Sequence, residues 1–304
     1  MNIDYKKLFL DIDVGEILFD EPMKNHTTFK IGGPCDVLIM PTKIDQILNA
    51  LKVIKKNNLD YMIIGNGSNL LVSDMGIRKV IIKLHTNFSK MTLAKEKIIS
   101  QSGAMLKDIA LLALNNELSG FEFASGIPGD LGGAITMNAG AYGGEMKDVL
   151  ESVKVIDKDL NVYDIPVEEM SLRYRNSKIQ DEDLIVIEGT IKLVPGKFDK
   201  IKAYQDELSF KRKSKQPLEY PSAGSTFKRP EGYFAGKLID DSGLRGYRYK
   251  DAMVSEKHCG FVINANNADC DQVLYVINHV KNTVFEKFGV TLEPEVRIIG
   301  EFTE

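Results

Sequence analysis

At 304 residues, with 43% hydrophobic and 27% charged positions, the chain has the size and composition of a soluble protein of two or three compact domains. Its formal net charge of −4 provides no global basic field for nucleic acid, so any anion site must be local. The three cysteines, Cys35, Cys259 and Cys270, form no C-x-x-C pair, and no apolar run approaches the roughly 18 residues that span a bilayer. Neither a disulfide scaffold nor a membrane-spanning helix is therefore expected. The N-terminal residues lack the apolar core of a signal peptide, and a reduced, cytoplasmic location is expected.

In chain order, residues 1–25 read as a helical arm, with apolar spacing at Leu8, Ile12 and Ile17 and a turn at Pro22. Asp36-Val37-Leu38-Ile39-Met40 reads as a strand ending at Pro41. Thr42 and Asp45 have capping-box spacing before a helix with Ile44, Ile47, Leu48, Leu51 and Ile54 on one face. Tyr61-Met62-Ile63-Ile64, closed by Gly65, and residues 80–84 are short strands, which gives a β-α-β block ending near residue 85. A second block opens with a strand at residues 97–100 and a helix over 106–117. Residues 119–144 then hold eight of the chain's 25 glycines and read as one long loop, followed by strands at 153–156, 161–163 and 184–187. Val194-Pro195-Gly196 suits a domain boundary. The third block runs from a helix near 200–213, through an amphipathic helix over 271–288 stopped by Gly289, to a last strand at 295–299.

Three glycine segments are candidate ligand loops. Gly65-Asn66-Gly67-Ser68-Asn69 follows an apolar strand, and its freed N–H groups suit an anion nest; a plain tight turn is the alternative. It is not a G-x-G-x-x-G dinucleotide fingerprint, because Leu70 stands where the third glycine belongs. Gly126-Ile127-Pro128-Gly129-Asp130-Leu131-Gly132-Gly133-Ala134 contains no run of charge and suits a flat ring lying on main chain, or a long surface loop. Thr27-Thr28-Phe29-Lys30-Ile31-Gly32-Gly33 is a third glycine turn. Downstream, residues 222–229, Ser-Ala-Gly-Ser-Thr-Phe-Lys-Arg, place a hydroxyl beside cations, which suits an anionic substrate. No G-x-S-x-G elbow surrounds Ser225, so a reacting Ser225 acts as a proton donor and not as a nucleophile; otherwise it is a turn residue.

These segments, in this order and spacing, together with N-A-G-A-Y-G at 138–143, resemble the UDP-N-acetylenolpyruvoylglucosamine reductases of peptidoglycan synthesis (the MurB family) over residues 27–299. The resemblance implies an α+β fold: a two-part FAD-binding domain of the vanillyl-alcohol-oxidase type, at 1–85 and 86–195, and a C-terminal α+β substrate-binding domain at 196–304. It implies non-covalent FAD, with the diphosphate at Gly65, Asn66, Gly67, Ser68 and Asn69. The isoalloxazine would lie against Gly126, Ile127, Pro128, Gly129, Gly132, Gly133 and Ala134. NADPH is the implied co-substrate and a UDP-enolpyruvyl sugar the substrate.

The resemblance also implies catalytic roles for Arg175, in Tyr174-Arg175-Asn176-Ser177, for Ser225 as proton donor, and for Glu295. Glu293, two residues earlier, competes with Glu295 for that role, with Pro294 between them. Lys215 matches a basic residue for the substrate diphosphate. Arg229 stands where many members carry asparagine and is its implied substitute. Lys211, Arg212 and Lys213 read as a solvated helix end. The chain lacks the extra tyrosine-bearing loop of the longer members and resembles the compact type. The four histidines show no ligand spacing; they read as structural, and no metal is expected. A monomer is expected, with no nucleic-acid or membrane partner.

Overall fold

The computed structural model describes residues 3–302. The chain forms two compact units assembled from discontinuous segments. The first comprises residues 1–18, 37–66 and 79–212; the second comprises 19–36, 67–78 and 213–304. Helix and sheet are mixed throughout, which is the expected α+β class.

Near the N-terminus a four-stranded sheet has the order Glu16–Pro22, Pro34–Met40, Ile77–Lys83, Tyr61–Ile64. The expected helical arm is corrected here. Only Tyr5–Phe9 is helical, and the chain turns at Gly15 (φ +93°) into the edge strand of this sheet. The apolar spacing of Leu8, Ile12 and Ile17 therefore belongs to no single element. The Ile44–Lys56 helix buries Ile47, Leu51 and Ile54 as its 3.6-residue period requires. Its start differs from the expected capping box. Gln46 Oε1 accepts hydrogen bonds from both Thr42 N (2.8 Å) and Thr42 Oγ1 (3.1 Å), so an amide replaces the carboxylate of Asp45.

The first unit is built on an antiparallel five-stranded sheet, ordered Val162–Pro166, Leu150–Ile156, Ile185–Lys192, Lys97–Gln101, Met91–Ala94. The helices Leu106–Asn115 and Leu131–Thr136 contribute to its apolar core. Leu131 and Ile135 pack directly on the bare backbone of Gly189. Residues 119–144 are thus not one loop, as their glycine density suggests. They contain the Leu131–Thr136 helix, a single helical turn at Glu122–Ala124 and a tight hairpin of Gly140–Ala141 with Gly144–Glu145. Val194–Pro195 pairs with Leu118–Ser119, and the Phe198–Lys215 helix follows.

The second unit packs the Cys270–Phe288 helix against a small sheet of Arg248–Tyr249, Ala252–Val254 and Val262–Asn264. Phe29, Ile31, Leu71, Ala223 and Phe227 share this core. Arg297–Ile299 runs parallel to Leu70–Val72. The last strand is shorter than the expected 295–299, because the Glu295 N–H is drawn away to Thr226 O at 2.8 Å. Among the described residues no helix is long and apolar enough to cross a membrane.

The long helix of this unit begins at Asp269, whose side chain accepts from Gln272 N (2.8 Å) and Gln272 Nε2 (2.7 Å). Removing an N-terminal cap leaves a helix N–H unpaired. Asp269→Ala should therefore lower unfolding free energy by about 1 kcal/mol in a denaturant titration.

Candidate functional site

The loop at residues 65–69 leaves the Tyr61–Ile64 strand and turns at Gly67, where φ is +66°. A Cβ there would stand 2.1 Å from His26 O, so both the conformation and the close approach demand glycine. The N–H groups of Asn66, Gly67 and Ser68 donate to no acceptor among the described residues. The two asparagine side chains fix the loop. In the first unit Asn66 Nδ2 donates to Pro128 O at 2.6 Å; in the second, Asn69 Nδ2 donates to Glu295 O at 3.0 Å. This is the construction of an anion nest.

The second glycine segment, in the first unit, is braced by main chain. Leu106 N donates to Gly129 O (3.0 Å), Leu131 N to Ala104 O (2.9 Å) and Gly132 N to Ser102 O (2.7 Å). Gly126, Pro128 and Gly133 are exposed, Ile127, Gly129 and Gly132 half-buried, and Ala134 buried. Asp130 is buried and pairs with His85 Nδ1 at 3.3 Å, with its carboxylate laid against the backbone of Gly65. Ser102 Oγ, beside Gly132, is buried and lacks a hydrogen-bond partner. Unpaired buried hydroxyls are uncommon, and this one adjoins an apolar, glycine-floored surface. Within the first unit the glycine floor and the orphaned hydroxyl fit an aromatic ring, and the bare N–H groups of residues 66–68 fit a phosphate.

Arg175 belongs to the first unit. It sits at the corner of a two-residue turn closed by Arg173 N to Asn176 O (3.0 Å) and Asn176 N to Arg173 O (3.1 Å). Its φ of +54° is left-handed. Ser177 Oγ (2.8 Å) and Gln180 Nε2 (2.9 Å) both donate to Thr136 O, and Arg173 grips Asp181 with two bonds, so the turn is held from several sides. The half-buried guanidinium lies over the Tyr174 ring at 5.1 Å. Nearby Glu145 receives hydrogen bonds from Lys147 and Asn138, which hold its carboxyl below the usual range, and Arg175 adds a smaller pull.

In the second unit the structure pairs the segments that carry Ser225 and Glu295. Phe227 bridges Pro294, Glu295 N donates to Thr226 O (2.8 Å), and Lys228 N donates to Glu293 O (2.9 Å). Ser225 is exposed, and Glu295 is half-buried. Glu293 is engaged elsewhere, in an exposed ion pair with Lys228 at 3.1 Å. Thr226 is pinned by Val262 N, which donates to its Oγ1 at 2.8 Å. The residue 27–33 turn is tied in by Thr28 Oγ1 donating to Ser222 O (2.7 Å) and Asn264 Nδ2 donating to Phe29 O (3.3 Å). Lys215 is exposed at the end of its helix, beside the buried, unpartnered Gln216 Oε1. Arg229 lies 4.1 Å over the ring of Phe234.

Residues 216–299 match the model of the UDP-N-acetylenolpyruvoylglucosamine reductase C-terminal domain, and residues 35–165 match an FAD-binding domain model. A UDP-N-acetylenolpyruvoylglucosamine reductase from Caldanaerobacter subterraneus is 52% identical over 287 residues, which are 94% of this chain and 95% of that protein. The chain belongs to the UDP-N-acetylenolpyruvoylglucosamine reductase family. Its Clostridium perfringens relative is 52% identical over 296 residues, 97% of each chain. The crystal structure of the Thermus caldophilus reductase, MurB, covers 93% of this chain and 98% of its own at 34% identity, with a TM-score of 0.80. The chain is accordingly an oxidoreductase of peptidoglycan synthesis that uses FAD.

One side chain departs from the sequence reading of this reductase. Arg212 is not part of a solvated helix end: it is half-buried against Gly126, one turn before the helix stops at Lys215. Helical spacing from buried Ile201 and Leu208 puts residue 212 on the same inward stripe, a signal its two lysine neighbours mask. The histidines are all engaged: besides His85, His26 contacts Glu21 (3.0 Å), His258 Nδ1 accepts from Gly260 N (3.1 Å), and His279 stacks on Tyr247 at 4.2 Å.

Two outcomes test this geometry. Gly67→Ala should destabilise the protein by about 2 kcal/mol through strain at a left-handed position, read as a lower midpoint in thermal unfolding. The lowered pKa of Glu145 gives stability that is complete above its ordinary value of 4.5 and is lost as pH falls through the folded value. Glu145→Gln should therefore flatten the acid limb of stability against pH.

Proposed function

We propose that the chain reduces UDP-N-acetyl-enolpyruvylglucosamine to UDP-N-acetylmuramate, with NADPH as reductant and Ser225 as proton donor. When bound, FAD accepts hydride from NADPH and supplies it to the enolpyruvyl double bond. The chain's own residues bind and orient the substrate and move one proton. Arg175 holds the enolpyruvyl carboxylate with two parallel hydrogen bonds, which its planar fork of donors suits. Charge accumulates on that carboxylate as the double bond is lost, so the arginine binds the transition state more tightly than the ground state. Ser225 Oγ delivers the proton to the adjacent carbon. A hydroxyl is a weak acid, so the enolate-like carbon must be the strong base. Glu295 polarises the intermediate or assists proton delivery.

The observation that supports this reading is the hydrogen bond from Glu295 N to Thr226 O, 2.8 Å, which ties the residue 295 segment to the one that carries the exposed Ser225. Lys215 and Arg229 bind the substrate diphosphate. Gly65, Asn66, Gly67, Ser68 and Asn69 bind the FAD diphosphate, and residues 126–134 pack against the isoalloxazine. The functional division is 1–85 and 86–195 for flavin and 196–304 for the sugar nucleotide. The enzyme works as a cytoplasmic monomer, with neither nucleic acid nor metal as partner.

Ser225→Ala tests the proposal in stopped flow. Enolpyruvyl-dependent flavin reoxidation should slow by about 10²–10⁴-fold, the usual worth of a positioned proton donor. Reduction of the flavin by NADPH should be unchanged. Equal slowing of both half-reactions, or of neither, would remove Ser225 from the proton path.

A further inference from the structure

Arg212, in the first unit, has no hydrogen-bond or ion-pair partner among the described residues. Arginines of this chain usually find one. Arg173 holds Asp181 and Arg245 holds Asp240, each through two nitrogen–oxygen contacts. Those side chains are exposed, where a missing partner is replaced by water. Arg212 is half-buried, and its desolvation pulls the guanidinium below the ordinary arginine pKa, with Tyr142 opposing weakly. It stays protonated nonetheless. A partly desolvated cation without an acceptor is costly unless a partner arrives from outside the chain.

Its position says which partner. The Arg212 stem packs on the first residue of the second glycine segment. A Cβ at Gly126 would lie 3.1 Å from Arg212 Cδ, 3.7 Å from Nη1 and 3.9 Å from Nε. The side chain thus lies close over bare main chain, with the guanidinium at the edge of the surface formed by residues 126–134.

We propose that Arg212 is the countercharge for the reduced flavin. The inference rests on the reading that residues 126–134 pack against the isoalloxazine. Transfer of hydride from reduced nicotinamide to oxidised flavin leaves oxidised nicotinamide and a flavin that carries one added hydrogen and one negative charge. No second proton is needed if a fixed cation balances that charge. A guanidinium is delocalised, planar and weakly hydrated, which matches a charge spread over a ring edge better than an ammonium does. Charge placed near the ring is one of the protein's means of setting flavin electronics. Arg212 thereby favours the reduced cofactor over the oxidised one and acts on hydride arrival, whereas Ser225 acts on hydride departure.

The test is dye-equilibrated reductive titration of the holoenzyme, with FAD affinity measured in parallel. Arg212→Met keeps the stem that packs on Gly126 and removes the charge. It should shift the two-electron equilibrium about tenfold toward oxidised flavin, roughly 30 mV. Oxidised FAD should bind within a few-fold of wild type, and Arg212→Lys should recover part of the shift. An unchanged potential in Arg212→Met, with weaker binding of the sugar nucleotide or NADPH, would assign the guanidinium to a substrate phosphate and overturn the proposal. Gly133→Val tests the underlying reading separately. Gly133 is exposed, and its Cβ would meet only Asp130 Oδ1 at 3.3 Å, so the variant should fold and lose FAD affinity. Undiminished FAD affinity in Gly133→Val would refute the ring-packing reading, and Arg212 would lose its proposed partner with it.

Discussion

The backbone pairing of residues 226–228 with 293–295 is the constraint on which the second unit's candidate site depends. It is only two hydrogen bonds long, and it fixes a register. Side chains alternate along extended chain, so a slip of one residue would exchange the faces of the two segments. In the observed register Glu293 pairs with Lys228, and the main chain of Glu295 bonds that of Thr226. Thr226 cannot easily slip, because its hydroxyl satisfies the N–H of Val262 inside the core. Asn69 reaches the same strand through the carbonyl of Glu295, so one residue's main chain is held by a nest loop and by the serine segment at once.

Much of this was legible in the sequence, for a physical reason. Buried helices with strong periodicity, such as Ile44–Lys56 and Cys270–Phe288, declare themselves because packing imposes the period. The glycine motifs were legible as places where backbone must be bare, and at Gly67 and Gly126 the contacts show why. What was not legible is tertiary. The N-terminal arm has helical spacing, yet strand pairing outweighs it over Glu16–Pro22. Thr42 has capping-box spacing to Asp45, but the amide of Gln46 reaches it first. The ion pair of Glu293 with Lys228, 65 positions away in sequence, could not be read from alternation either. Arg212 was obscured by its own neighbours, because a basic run looks solvated until the opposing surface is known.

Aromatic rings and carboxylates divide the arginines of this chain by environment. Arg173, Arg245 and Arg248 are matched with acids on the surface. Arg175 and Arg229 lie over the rings of Tyr174 and Phe234. A ring face attracts a guanidinium through its quadrupole, whereas a carboxylate aligns it through in-plane hydrogen bonds.

The left-handed backbone at Arg175 has a consequence for how this protein can change. A non-glycine residue there sits about 1–2 kcal/mol above its relaxed conformation, and glycine would relieve that strain. Local stability and the guanidinium are therefore opposed at this position. A laboratory selection that rewards heat resistance without demanding turnover would favour loss of Arg175, and would yield sturdier proteins that lack its guanidinium.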